Sequence, residues 1–405
     1  MNRILILGAG FAGLWAAMAA ARKLDESGQA QTTEILVVDA RLFHSIRVRN
    51  YELDPAATQV PLADVLEPIG VKWLTGTIEQ INTAQHTVTV QTADDTKVLN
   101  YARLVVALGS TLVHPPIPGL VEHAFDVDTF ENTNTLLAHL RSLSTQPASA
   151  GRYTAVVIGA GLTGSEVAAE LPAKLGKLAK NPAEARVILI DHLPRIADQM
   201  GEAQPVIETA MRSMGVEMRP GVQVSRVTAT GVELANGETI AAATVIWCGG
   251  IHANPLVKEL PTQHDALGRI QTDAYLRVPD IPDVFAAGDC ANLAIDGKND
   301  IIMSCQYSLP MGRFCGHNVA ADLLGEALLP LRIDDYVTCV DLGPWGAVYT
   351  QGRERKLVMQ GERAKRTKRF ITRELIYPPT NRNRDAILQA AAPTLATESL
   401  ENKVL

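Results

Sequence analysis

Two six-residue runs carry the first chemistry the sequence offers. Gly8-Ala9-Gly10-Phe11-Ala12-Gly13 and Gly159-Ala160-Gly161-Leu162-Thr163-Gly164 place glycines at their first, third and sixth positions, 151 residues apart. A dinucleotide pyrophosphate needs this pattern. The first glycine makes a tight turn, the second leaves room for close approach, and the third lets a helix pack onto a strand. The helix N-terminus then supplies unpaired N–H groups and a favourable potential. An acidic residue follows the last glycine by 26 positions in the first run (Asp39) and by 27 in the second (Asp191), where a carboxylate can accept from a ribose hydroxyl. A single run of this kind is weak; two with matched arithmetic imply two nucleotide sites.

Each run must sit between a strand and a helix. Residues 2–7 read as a buried parallel strand, 13–24 as an alanine-rich helix and 34–38 as a second strand; 154–158, 165–175 and 187–190 repeat the series. The uncharged stretch 4–21 has the profile of a signal peptide or short membrane span, but a strand entering a glycine turn explains the same apolarity as burial. Further strands are expected at 71–76, 87–92 and 98–106, and again at 217–218, 222–228, 232–234 and 244–247, giving each unit a small antiparallel accessory sheet. Proline-rich 114–119 and glycine-rich 248–250 mark two crossings between units. The expected fold class is α/β, with two interleaved Rossmann-like dinucleotide-binding domains, accessory antiparallel sheets and a C-terminal α+β module. The expected boundaries are 1–114 plus 265–325, 115–264, and 326–405.

Composition narrows the function. The 405 residues carry 37 basic and 44 acidic side chains, net −7, with 47% hydrophobic and 20% charged. That excludes a disordered polyelectrolyte and gives no electrostatic case for a nucleic-acid partner. Cys248, Cys290, Cys305, Cys315 and Cys339 form no CxxC pair, and none precedes residue 248. This argues against a zinc ribbon, a disulfide-stapled secreted fold and an N-terminal redox disulfide, and for a reducing, cytoplasmic setting with no metal site. The five are expected to be packing thiols.

Two more segments, Tyr101-Ala102-Arg103-Leu104-Val105-Val106-Ala107-Leu108-Gly109-Ser110 and Val284-Phe285-Ala286-Ala287-Gly288-Asp289, resemble the additional fingerprints of the two-dinucleotide-binding flavoproteins. The order of motifs, Val245-Ile246-Trp247-Cys248-Gly249-Gly250 with Asn254-Pro255-Leu256, and the helix expected at 305–319 look like the type II NADH dehydrogenases. The resemblance covers roughly residues 2 to 325 and is faint beyond. It implies FAD on the N-terminal unit and NAD(P)H on the inserted one, with a hydride passing from nicotinamide to flavin and on to a small-molecule acceptor such as a quinone. The cofactor contacts it implies are Gly8, Gly10, Phe11, Ala12, Gly13, Asp39, Ala40, Arg41, Arg47, Ile78, Ala107, Gly109, Gly159, Gly161, Leu162, Thr163, Gly164, Asp191, Gly249, Gly250, Gly288 and Asp289. Disulfide reductases of this superfamily carry a cysteine facing the flavin; here that region reads Phe43-His44-Ser45-Ile46-Arg47-Val48-Arg49-Asn50-Tyr51-Glu52, without sulfur.

The resemblance also assigns catalytic roles. Glu166 matches an acidic residue near the nicotinamide, and Gln306 matches a glutamine at the flavin end of the following helix. Asp191 favours NADH over NADPH, with Arg195 a counterweight. Where the family has a glutamine pair lining the quinone, this chain has Pro310-Met311, which is expected to weaken quinone use; the other reading is a kink at Pro310 and a Met311 that only fills core. Arg47 and Arg49, two apart, would point the same way toward cofactor in an extended segment, while a turn at either one would separate them, and His44 is expected to be a surface or capping residue. The tail beyond 352 is basic but lacks a long apolar face. It is expected to be solvated or to face a homodimer partner, with peripheral contact at the inner face of a membrane as the other reading. A flavin monooxygenase, a ferredoxin- or rubredoxin-type reductase and a redox-silent regulatory protein are the alternatives.

Overall fold

The computed structural model describes residues 2–179, 181–295, 299–333 and 336–394. Residues 395–405 of the expected C-terminal module lie outside the described residues. Asn2–Leu7, apolar and buried from Ile4 on, pairs in parallel with Thr33–Asp39 on one side and Arg103–Val106 on the other, Ile4 meeting Ile35 and Arg103. Lys72–Thr75 and Val284–Ala286 complete a five-stranded parallel sheet. Its last strand comes from 178 residues beyond the nearest other member, so the chain leaves this sheet and returns. In between lies a second parallel sheet, ordered Val216–Arg219, Arg186–Ile190, Thr154–Ile158, Thr244–Trp247. Both accessory sheets form, each three-stranded and antiparallel: Thr77–Asn82, Thr87–Gln91 and Thr96–Asn100, and Val224–Thr228, Gly231–Leu234 and Thr239–Ala241. The single strand expected at 98–106 is two, because the chain passes at Tyr101-Ala102 from the accessory sheet into the central one.

Four helices matter for the site: α1 (Phe11–Glu26), α2 (Leu162–Leu178), α3 (Cys305–Leu324) and α4 (Gly361–Phe370). Helix α1 follows the first glycine turn and is buried along most of its length, from Ala12 to Ala21 and at Leu24. Its alanines let α3 approach closely. A Cβ on Gly312 would sit 2.4 Å from the Ala12 carbonyl oxygen, and one on Gly316 2.1 Å from that of Ala16. This small-residue stripe at i, i+4 holds the N-termini of α1 and α3 side by side. Helix α3 runs as one helix through Pro310, so the expected kink does not interrupt it.

The two crossings become a paired link. Ser110–Leu112 is antiparallel to Ile251–Ala253, and the Trp247 Nε1–H donates to the Val113 carbonyl at 2.7 Å. After α3, Val337–Asp341, Ala347–Gln351 and Lys356–Gln360 form an antiparallel sheet carrying α4. The basic tail is not simply solvated. On α4, Ala364, Lys365, Thr367 and Lys368 are buried while Arg363, Arg366 and Arg369 face out.

Candidate active site

The two glycine turns are near-duplicates in geometry. Gly8 and Gly159 hold φ of +98° and +99°, a region an L side chain rarely enters. A Cβ on Gly13 or on Gly164 would lie 1.8 Å from the carbonyl oxygen of Gly8 or Gly159 respectively. The middle glycine differs: a Cβ on Gly10 meets nothing within 4 Å, and one on Gly161 meets only the tip of Gln199 at 3.4 Å. First and third positions are therefore closed by protein, and the second opens toward a ligand, as pyrophosphate binding requires.

The acids close the turns from behind. The N–H of Ala9 donates to Asp39 Oδ2 at 2.7 Å and that of Arg41 to Oδ1 at 2.9 Å. The N–H groups of Ala160 and Leu193 donate to Asp191 at 2.6 and 2.8 Å. Asp39 also lines the cavity described next, whereas Asp191 is 6% exposed and does not. Asp191 is thus first a clamp on the second turn, and the expected counterweight Arg195 is engaged by Asp198 at 2.8 Å.

One cavity of about 1290 Å³ joins both turns. Sites for drug-sized ligands hold roughly 300–1,000 Å³, so this one suits something larger and extended. Of the expected contacts it takes in Gly8, Gly10, Phe11, Ala12, Asp39, Ala40, Arg41, Arg47, Ile78, Ala107, Gly109, Gly161, Leu162, Thr163, Glu166, Gly250, Gly288, Asp289 and Gln306. Gly13, Gly159, Gly164 and Gly249 lie off its wall and serve packing. A Cβ on Gly249 would strike the Trp247 ring at 2.2 Å. Helices α1, α2 and α3 begin at Gly10, Gly161 and Ser304 with no side-chain cap, and all three starts face this cavity. Uncapped N-termini leave N–H groups that an anionic or electron-rich ligand can satisfy.

Beside the α3 start, Ser110 Oγ donates to Asp289 Oδ2 at 2.7 Å and Ser308 Oγ to Oδ1 at 3.3 Å. This fixes the carboxylate at the turn made by Gly288, whose φ is +81°. The Gln306 amide meets the Val337 backbone, accepting from its N–H at 3.3 Å, so it ties α3 to the C-terminal sheet while lining the cavity. Arg47 reaches the cavity and pairs with Asp128 and Ser110. Arg49 does not join it there. Arg47–Glu52 is a 3₁₀ helix rather than an extended segment, which turns Arg49 inward to Glu52 at 2.8 Å and to the Tyr377 hydroxyl at 2.6 Å.

Glu166, on the first turn and a half of α2, faces a cluster that the tail builds. The Lys368 Nζ donates to Glu166 Oε1 at 2.7 Å and to the Cys339 carbonyl at 2.9 Å, and the Asp341 N–H donates to the same Glu166 oxygen at 3.0 Å. Lys365 pairs with Asp341, which also accepts from the Tyr51 hydroxyl at 3.1 Å. Burial pushes the Glu166 carboxyl up to about 7, against the pull of Lys368 and the Asp341 N–H. Glu166 holds the Lys368 ammonium above its ordinary value against its own burial.

Other expectations change. Met311 is fully buried in the core and off the cavity wall, so it does not replace a polar group facing an acceptor. Leu309, Pro310 and Arg313 take that wall. His44 is no surface residue. It is buried beneath the first turn, where Nδ1–H donates to the Ala9 carbonyl at 2.9 Å and its ring meets Phe11 edge-on, and burial lowers it to about 4, leaving it neutral at pH 7. Cys290 and Cys315 are buried, but Cys248, Cys305 and Cys339 reach the cavity. Burial raises Cys305 to about 11 and Cys248 and Cys339 to about 12, which disfavours the reactive thiolate.

The chain is similar to known proteins along most of its length. Residues 2–312 match the pyridine nucleotide-disulphide oxidoreductase family. An NADH dehydrogenase-like protein of Mycobacterium tuberculosis (strain H37Rv) is 49% identical over 97% of this chain and 98% of its own. The demethylphylloquinone reductase of Synechocystis is 29% identical over 85% of this chain and 86% of its own. Among solved structures, NDH2 of Plasmodium falciparum in complex with NADH shares the fold at a TM-score of 0.77 and 13% identity, covering 96% of this chain and 98% of that one. The chain therefore belongs to the pyridine nucleotide-disulphide oxidoreductase family and is an NADH dehydrogenase-like oxidoreductase with the family's FAD and NADH cofactors.

Proposed function

We propose that this protein oxidises NADH through FAD and reduces a small quinone-type acceptor. The observation that carries the reading is the continuity of one cavity from the first glycine turn, past the uncapped start of α3, to the second glycine turn and to an apolar wall of Leu309, Pro310, Ile333, Ile371, Leu375 and Ile376. The residues fit FAD: the open side of Gly10 would admit a pyrophosphate, the Asp289 carboxylate would accept from ribitol hydroxyls, and the uncapped α3 N-terminus at Ser304 to Gln306 would offer N–H groups to the charge that reduction places on the flavin. When bound, FAD supplies the two-electron acceptor for the hydride. The second turn, with Leu162 and Thr163, orients the nicotinamide nucleotide. The apolar wall excludes water and suits a quinone ring. The names of the relatives, demethylphylloquinone reductase among them, support that acceptor class. The outward arginines of α4 and exposed Leu375 give a surface for peripheral contact with an anionic bilayer.

Flavin colour lost on anaerobic addition of NADH and restored by a naphthoquinone is the direct test; a yellow protein that NADH does not bleach is a nucleotide-binding protein without this activity. NADH should outperform NADPH in kcat/KM, because Arg195, the expected counterweight that a 2′-phosphate would need, is engaged by Asp198. Equal or better use of NADPH overturns that preference.

Loss of hydride leaves a cationic nicotinamide, which an ionised Glu166 favours. With its carboxyl near 7, the ionised fraction climbs about tenfold between pH 6 and 8. The rate of flavin reduction should rise over that interval. Glu166→Gln should flatten the profile at the acid-side rate, and a profile of unchanged shape in the variant removes Glu166 from the hydride step.

A further inference from the structure

Gln306, Leu309, Pro310 and Arg313 all line the cavity, and their spacing of three, four and seven residues puts them on one face of α3. The stripe reads amide, apolar, apolar, cation over about 10 Å of helix axis. Its last member is anomalous. The Arg313 guanidinium lies over the Trp15 ring at 4.4 Å from the centroid, and its Nε is buried with no hydrogen-bond partner. Among the described residues no carboxylate pairs with it. Buried Arg49 and Arg269 each have one, Glu52 at 2.8 Å and Asp265 at 2.6 Å. Burial alone pulls Arg313 below its ordinary value, whereas Glu52 raises Arg49. Trp15 beneath it is 1% exposed, and its Nε1–H also lacks a partner.

A half-buried cation with its Nε closed off from water and no counter-charge is destabilised, and on a cavity wall an anionic ligand lowers that cost. The two dinucleotide pyrophosphates already have the two glycine turns and their helix starts. We propose that Arg313 is a specificity-determining residue for an electron acceptor bearing an anionic group such as a carboxylate, with the acceptor's redox ring lying toward Gln306 across Leu309 and Pro310. The proposal rests on the quinone reading above and names the acceptor's chemistry more narrowly.

The matched probes are a 1,4-naphthoquinone carrying a propanoate side chain and its methyl ester, which share a redox ring and differ in charge. Isothermal titration of the oxidised holoprotein should show the acid binding at least tenfold tighter than the ester. Arg313→Met should bring the ratio to about one without loss of FAD, and Arg313→Lys should keep most of it. With NADH as donor, kcat/KM should follow the same ratio. Equal binding of acid and ester by the wild type overturns the proposal. So does a ratio that Arg313→Met leaves unchanged, or loss of FAD from a folded Arg313→Met protein, since the guanidinium would then serve the cofactor. Should neither quinone turn over, the quinone reading fails, while the binding ratio still decides the role of Arg313.

Discussion

Gly10→Val is expected to give a folded protein that purifies without flavin. The backbone at Gly10, φ −68° and ψ −168°, is one a side chain can adopt, and a Cβ there meets no protein atom within 4 Å. The valine methyls instead occupy the space before the uncapped start of α1, where a pyrophosphate must come within hydrogen-bond distance of the backbone. Losing two charge-assisted hydrogen bonds at about 1.5–3 kcal/mol each weakens binding by roughly two to four decades. Gly13→Ala makes the contrast, since its Cβ would lie 1.8 Å from the Gly8 oxygen and must displace the turn itself. The check is flavin absorbance per protein after gel filtration beside a thermal melt. Gly10→Val should melt near the wild-type apoprotein and Gly13→Ala well below it. Stoichiometric flavin on Gly10→Val would mean that the first turn is not the cofactor site.

What the sequence made legible was local. The glycine turns, the strands entering them and the acids 26 and 27 residues on lie within short windows whose chemistry is set by spacing, and their geometry agrees in both copies. The opening of Gly10 against the closure of Gly13 follows from the same pattern. The C-terminal contribution was not legible for an equally physical reason. Lys365 and Lys368 sit among seven other cations between residues 353 and 373, and nothing in the residue type separates an inward lysine from an outward one. A 3.6-residue count centred on Ala364 and Thr367 was the only available signal, since those uncharged positions mark the inward face of α4. For Met311 the likeness to the family's glutamine pair pointed to the cavity and the apolar side chain to the core, and the structure puts it in the core, because Gly312 and Gly316 set that side of α3 against α1. Arg313, two positions on, takes the cavity face.

The ion pair that ties the tail to α2 makes the second large effect calculable. Lys368→Met keeps the bulk of the buried stem but leaves Glu166 enclosed at 6% exposure with no cation on its oxygen. Breaking a buried pair from one side costs about 3–5 kcal/mol when the remaining charge cannot escape. Glu166 escapes by keeping a proton, since its carboxyl is already near 7 with Lys368 in place and rises further without it. The sign follows from proton binding. Above pH 4.5 the unfolded carboxyl is ionised while the folded one is protonated, so the variant loses stability as pH rises, at about 1.4 kcal/mol per unit until the folded group also ionises. The wild-type carboxyl, itself near 7, shares this loss up to about pH 7, so the deficit against wild type should be nearly constant between pH 5 and 6 and widen above pH 7, by about 1.4 kcal/mol at pH 8, read as a shift in urea midpoint at unchanged slope. Glu166→Gln combined with Lys368→Met removes the titrating group and keeps an acceptor for the Asp341 N–H, while Lys365 remains on Asp341. The double variant should remove the widening above pH 7 and show no steeper pH dependence than wild type. A double variant as unstable as the single one at pH 8 would show that Lys368 acts through its packing and that the charge on Glu166 contributes little to holding the C-terminal sheet against α2.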